Sequence, residues 1–165
     1  FRNHPSGRHV VRICRAEACQ SMGGRDIAEA DALSHVWGYA IGNDLTRRDL
    51  QFAARDMGRP WDFGKAFDRS AVIGPIHPVA EAGHPDKGSI RLTVNGATRQ
   101  DADLAELIWS VPEVISYLSH SIALAPGDLI MTGTPAGVGP LVPGDVCVIA
   151  IEGLGEISTT IGSRA

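Results

Sequence analysis

Apolar positions along the chain fall into short runs broken by glycine, proline and acidic residues, with few stretches at helical spacing. Val10, Val11 and Ile13 form a strand-like run. Ile27, Ala30 and Leu33 recur at helical spacing and predict a short helix over 26–37. The run 36–41 (VWGYAI) reads as a strand, and Gly42-Asn43-Asp44-Leu45 as a turn. Thr46 and Asp49 have capping-box spacing and predict a helix over about 47–57, closed by Gly58-Arg59-Pro60. Residues 61–69 (WDFGKAFDR) read as an irregular aromatic loop, and 71–76 as a strand stopped by Pro75 or Pro78. Residues 90–94 alternate, and Asn95-Gly96 predicts a tight hairpin with return strand 98–100. A short helical piece over 103–109 precedes a second capping box, Ser110 with Glu113, and a helix to about Leu124. Strands over 129–131, 146–151 and 156–161 close the chain, with a glycine-rich loop at 132–140. The sum is a mostly β fold with short helices.

Composition narrows the class. The chain has 165 residues, 44% hydrophobic and 21% charged, enough for one compact domain with a core. Its 19 glycines and 10 prolines suit a protein of many chain reversals. The net charge of −4 argues against backbone-driven nucleic-acid binding. No apolar run approaches a membrane span, and arginines interrupt any signal-peptide core, so no membrane association and a cytoplasmic location are expected. Three cysteines, an odd number, argue against a disulfide framework.

Candidate chemistry is sparse. Asp44 precedes a helix, where a carboxylate either caps the helix or holds a divalent cation. Arg48 and Gln51 share a helix face and either grip a substrate or form a solvated surface. Lys65, one of only two lysines, lies among Trp61, Asp62, Phe67 and Asp68. Such a lysine can steady an oxyanion or simply sit on the surface. The loop 132–139 (TGTPAGVG) exposes backbone N–H groups suited to an anion, with a hydroxyl from Thr134, or is merely a tight β connection. It matches neither a P-loop nor a dinucleotide fingerprint. The six histidines show no metalloprotease spacing, and no nucleophile elbow is present. Cys14 and Cys19 have C-x4-C spacing, but only Cys147 remains to complete a cluster.

The segments GRDIAEADALSHVWGYAIGNDLTRRDLQ (24–51), GRPWDFGKAFDRSAVIGP (58–75), RLTVNGATRQDADLAELIWSVPEVISYLS (91–119) and DLIMTGTPAGVGPLVPGD (128–145) resemble the fumarylacetoacetate hydrolase family. The closest subgroup is that of acylpyruvate and fumarylpyruvate hydrolases. The resemblance implies a β-roll core, a homodimer, and Mg²⁺ or Mn²⁺ chelated by a small 2-oxo acid. It further implies Asp44 as a metal ligand, Arg48 and Gln51 as substrate contacts, Lys65 as the catalytic lysine, and Gly133 with Thr134 at the substrate carboxylate. The implied reaction is hydrolysis of a C–C bond in a 2,4-dioxo acid through a stabilised enolate. Decarboxylation or tautomerisation of oxaloacetate-like acids is the alternative on the same fold.

The family's two earlier metal carboxylates, a Glu-x-Glu pair, would fall at positions 13 and 15, which are Ile13 and Arg15 here. The lid helix with its His–Glu pair has no counterpart, so the core is expected to lack its N-terminal part. Residues 7–24 (GRHVVRICRAEACQSMGG) instead resemble a thioredoxin-like [2Fe–2S] subunit of NADH or formate dehydrogenases. The expected organisation is an atypical segment over 1–24 ahead of a catalytic core over 25–165. An inactive structural domain, or an iron–sulfur carrier completed by a partner's cysteines, are the rival functions.

Overall fold

The computed structural model describes residues 6–7, 9–13 and 26–163. The elements in chain order are β1 (Ser6–Gly7), β2 (His9–Ile13), a 3₁₀ helix (Glu29–His35), β3 (Val36–Asp44), α1 (Arg48–Asp56), α2 (Asp62–Lys65), β4 (Ala71–Pro78) and α3 (Val79–Ala82). There follow β5 (Ser89–Val94), β6 (Ala97–Asp103), a 3₁₀ turn (Leu104–Glu106), α4 (Val111–Ser121), β7 (Asp128–Met131), β8 (Thr134–Pro135), β9 (Val146–Ile151) and β10 (Gly155–Thr160). The strands form two four-stranded antiparallel sheets, ordered β4-β3-β2-β7 and β10-β9-β5-β6, and a small β1-β8 ladder. The mostly β expectation holds.

The core lies where the alternating faces of the two sheets meet the helices. Val36, Tyr39 and Ile41 from β3, Ile90 from β5, and Ile149 and Ile151 from β9 pack with Val111 and Ile115 of α4. Burying such side chains contributes roughly 1.5–3 kcal/mol each before conformational entropy is counted. Ser119 ties the 3₁₀ region to α4: its hydroxyl accepts from the Ile27 backbone N–H at 2.8 Å and donates to the Ser116 carbonyl. The segment read as an α-helix over 26–37 is a 3₁₀ helix. It is confined between this anchor and the start of β3, and no side chain caps its N-terminus.

Two local signals were realised as written. Asn95 and Gly96, with φ of 52° and 81°, join β5 and β6 in a two-residue turn. Ser110 Oγ accepts from the Glu113 N–H while the Glu113 carboxylate accepts from the Ser110 N–H, the capping box of α4. The Ser110 N–H and the Ser110 hydroxyl both donate to the Glu113 carboxylate and hold it below its usual range.

Three expectations give way to tertiary structure. The turn at 42–45 is instead the end of β3, because Gly42, Asn43 and Asp44 pair with Ile73, Val72 and Ala71 of β4. Of the two prolines, Pro78 ends β4 and Pro75 does not. Pro75 lies on a sheet edge, where a shift in register leaves its missing N–H unneeded. Thr46 does not cap α1: Arg47 is the N-cap residue, without a side-chain bond, and the Thr46 hydroxyl is engaged by Lys65.

Candidate active site

The continuation of β3 carries Asp44 to the rim of a cleft of about 970 Å³. One wall is the β3 end and the start of α1, with Asn43, Asp44, Thr46, Arg47 and Arg48. The opposite wall is the β5–β6 hairpin and the glycine-rich loop, with Arg99, Gln100 and Thr134.

Lys65 is brought to Asp44, a residue of the cleft wall, by a close helix contact. A β-carbon on Gly64 would lie 3.0 Å from the Gln51 backbone nitrogen and 3.2 Å from the Arg47 carbonyl, so α2 approaches α1 with no side chain between them. The Arg47 N–H also donates to the Gly64 carbonyl at 2.9 Å. This fixes Lys65 so that its ammonium donates to Asp44 Oδ2 at 2.7 Å and to Thr46 Oγ1 at 2.8 Å. The Asp44 side chain is 8% exposed and that of Lys65 25%, so the pair is shielded from bulk water. Low dielectric strengthens such a pair and makes breaking it costly.

Arg48 Nη1 donates to Gln51 Oε1 at 2.6 Å, and Gln51 is buried. The shared helix face read from their spacing is thus a direct bond, which holds the Arg48 guanidinium in one orientation. Arg47 stacks on Phe67 at 4.4 Å. The aromatic loop therefore supports an arginine at the cleft wall. Thr134 accepts from Gln100 Nε2 at 3.2 Å, and Gly133 precedes it with φ of 151°. Asp44, Arg48 and Thr134 thus share the cleft, Lys65 reaches it through Asp44, and Gln51 supports Arg48 from below. Thr46 and Gln100 were not singled out by sequence reasoning. Thr46 had been assigned to a cap, and Gln100 carries no local motif at all.

Among the described residues, His84 and His120 are engaged locally, with the Tyr39 hydroxyl at 2.6 Å and the Ser116 carbonyl at 2.7 Å. No three His, Cys, Asp or Glu side chains come together among the described residues. Asp44 has the hard oxygen donors a Mg²⁺ or Mn²⁺ ion takes, but the described residues alone do not complete a ligand set for one.

The cleft lining carries the arginines Arg47, Arg48, Arg91 and Arg99 against the carboxylates Asp44 and Asp49. A profile for the family Fumarylacetoacetate (FAA) hydrolase C-terminal matches residues 19–162, and the chain belongs to that family. It is 48% identical over 136 residues to a fumarylpyruvate hydrolase of Ralstonia sp, covering 82% of this chain and 70% of that protein. It is 39% identical over 144 residues to the oxaloacetate tautomerase FAHD2, mitochondrial, of Oryza sativa subsp. japonica, covering 87% of this chain. It spans 64% of the length of that relative. The structure is similar, with a TM-score of 0.88 and 47% identity, to a fumarylpyruvate hydrolase from Pseudomonas aeruginosa in complex with Mn²⁺ and pyruvate, over 99% of this chain and 70% of that one.

These findings correct one expectation. Residues 7–24 are not a fragment of an iron–sulfur subunit. The family match begins at residue 19, and the structural likeness takes in nearly the whole chain. The backbone of β2 forms an internal strand between β3 and β7 of the same sheet. The C-x4-C spacing was too short a signal to outweigh this, and Cys14 and Cys19 themselves lie outside the described residues.

Proposed function

We propose that this chain carries the substrate cleft of a C–C hydrolase acting on 2,4-dioxo acids of the fumarylpyruvate or acylpyruvate type. The observation that carries the proposal is the Lys65 ammonium bonded to Asp44 and Thr46, both of which line a cleft that also presents Arg48 and Thr134. Arg48 and the Thr134 hydroxyl bind the substrate carboxylate, assisted by the backbone around Gly133. Gln51 keeps the Arg48 guanidinium oriented. As the C–C bond breaks, negative charge develops on the 2-oxo oxygen, and the fixed Lys65 ammonium stabilises it without reorganising. Asp44 holds the lysine in place, and would supply one oxygen ligand for a divalent cation. A divalent cation held there would polarise the substrate's 2-oxo group. The Mn²⁺ and pyruvate of the Pseudomonas aeruginosa relative support this cofactor and ligand class. Hydrolysis also needs a base to activate water. The described cleft lining offers the carboxylates Asp44 and Asp49.

Oxaloacetate tautomerisation is the second reading. It is favoured by the likeness to the Oryza sativa tautomerase. We also propose that the protein works as a homodimer.

The test is turnover of fumarylpyruvate and of enol-oxaloacetate by the protein with Mn²⁺ or Mg²⁺. Pyruvate release from fumarylpyruvate, reduced at least about 100-fold in Lys65→Met, supports the hydrolase, because removing one oxyanion-stabilising donor has an effect of that order. Turnover confined to enol-oxaloacetate transfers the assignment to the tautomerase. Absence of both activities, with no pyruvate binding at millimolar metal, leaves the inert-domain reading.

A further inference from the structure

The cleft-lining Thr134 accepts a hydrogen bond from a largely buried neighbour. Gln100 is 8% exposed, on β6. Its Nε2 lies 2.8 Å from the Pro135 carbonyl oxygen and 3.2 Å from Thr134 Oγ1. A carbonyl can only accept, so the bond to Pro135 fixes the amide with nitrogen, not oxygen, toward the loop. Both amide hydrogens are then committed, one to Pro135 and one to Thr134. Thr134 Oγ1 is an acceptor in that bond, so its own single hydrogen must go elsewhere. Thr134 lines the cleft, where a ligand oxygen can take that hydrogen.

We infer that Gln100 is a positioning residue that turns the Thr134 hydroxyl hydrogen away from the loop and into the cleft, and so favours a carboxylate, the stronger acceptor, over a neutral amide. The backbone around it reinforces this. A β-carbon on Gly137, at φ 99°, would meet the Arg99 carbonyl at 1.8 Å, so the loop is seated directly on the strand that carries Gln100. The inference rests on the reading that the cleft takes a 2-oxo acid.

The experiment compares pyruvate with its neutral analogue pyruvamide by calorimetry, using the whole chain with saturating Mn²⁺. Variants are Gln100→Met, which keeps length and neutrality, Thr134→Val, and the pair. The wild type is expected to prefer pyruvate. Gln100→Met should cut that preference about tenfold, the size of one charge-assisted hydrogen bond. Once Thr134→Val is present, adding Gln100→Met should change the preference no further. A Gln100→Met preference within about twofold of wild type overturns the inference, as does an equal effect in the Thr134→Val background, since each marks a packing role. Should Gln100→Met not fold, a crystal structure of the wild type with Mn²⁺ and pyruvate decides. Thr134 Oγ1 within hydrogen-bond reach of the carboxylate, with both Gln100 bonds kept, supports it; a Thr134 hydroxyl bonded elsewhere overturns it. Wild-type binding of both ligands alike removes the inference and leaves the proposed function standing. Binding of neither removes both.

Discussion

Single side chains in this protein do their work through fixed partners. Lys65, read from sequence as a lone lysine among aromatics, is instead held by Asp44 and Thr46, and Phe67 goes to Arg47. Tyr39 is another case. It is 2% exposed, its hydroxyl lies 2.6 Å from His84 Nδ1, and burial pushes its pKa from 10.0 up to about 12. A raised folded pKa means that the native state keeps a proton the unfolded chain has lost. The associated stability is complete below pH 10 and is lost as pH rises toward 12, at up to about 1.4 kcal/mol per unit. Urea midpoints measured from pH 8 to 11.5 should fall less steeply in Tyr39→Phe than in the wild type. Parallel curves for the two proteins would show that Tyr39 does not contribute.

At the scale of elements, strand ends and loops set the site. The glycine-rich loop was legible as an anion-binding candidate, but not the surface it rests on. That surface is β6 at Arg99 and Gln100, close in space and about 35 residues away in sequence. Gly137→Ala should displace the loop, since both the positive φ and the 1.8 Å approach to the Arg99 carbonyl exclude a β-carbon. The expected outcome is a loss of roughly 1–3 kcal/mol in chemical denaturation together with at least about tenfold weaker pyruvate binding. Wild-type affinity in this variant would mean that the loop's seat does not govern the carboxylate site. The α4 capping box, by contrast, depends on residues three apart, and the sequence was sufficient to find it.

Across the whole molecule, Ile108, Trp109, Tyr117 and Ile122 are about half exposed at and around α4, and the Trp109 and Tyr117 rings meet edge to face at 5.0 Å. Apolar side chains gathered in this way commonly mark an interaction surface. With the proposed homodimer, sedimentation should give a species of twice the 17.5 kDa of one chain. Trp109→Glu should shift it toward the single-chain mass if this surface forms the contact. An unchanged dimer would place the contact elsewhere.

What the sequence determined by itself is what depends on neighbours along the chain: the Asn95-Gly96 hairpin, the Ser110–Glu113 cap, the short alternating strands, and the residues that carry the family likeness. Tertiary structure decided the rest. Pairing with β4 turned a predicted turn into the strand that ends at Asp44. The Gly64 contact brought Lys65 across to Asp44 and took Thr46 away from its cap. The polarity of Thr134 depends on Gln100 from another sheet strand. In each case a contact between distant segments offered a paired strand or a buried, satisfied polar group, and that outweighed the weaker local preference of a turn or cap.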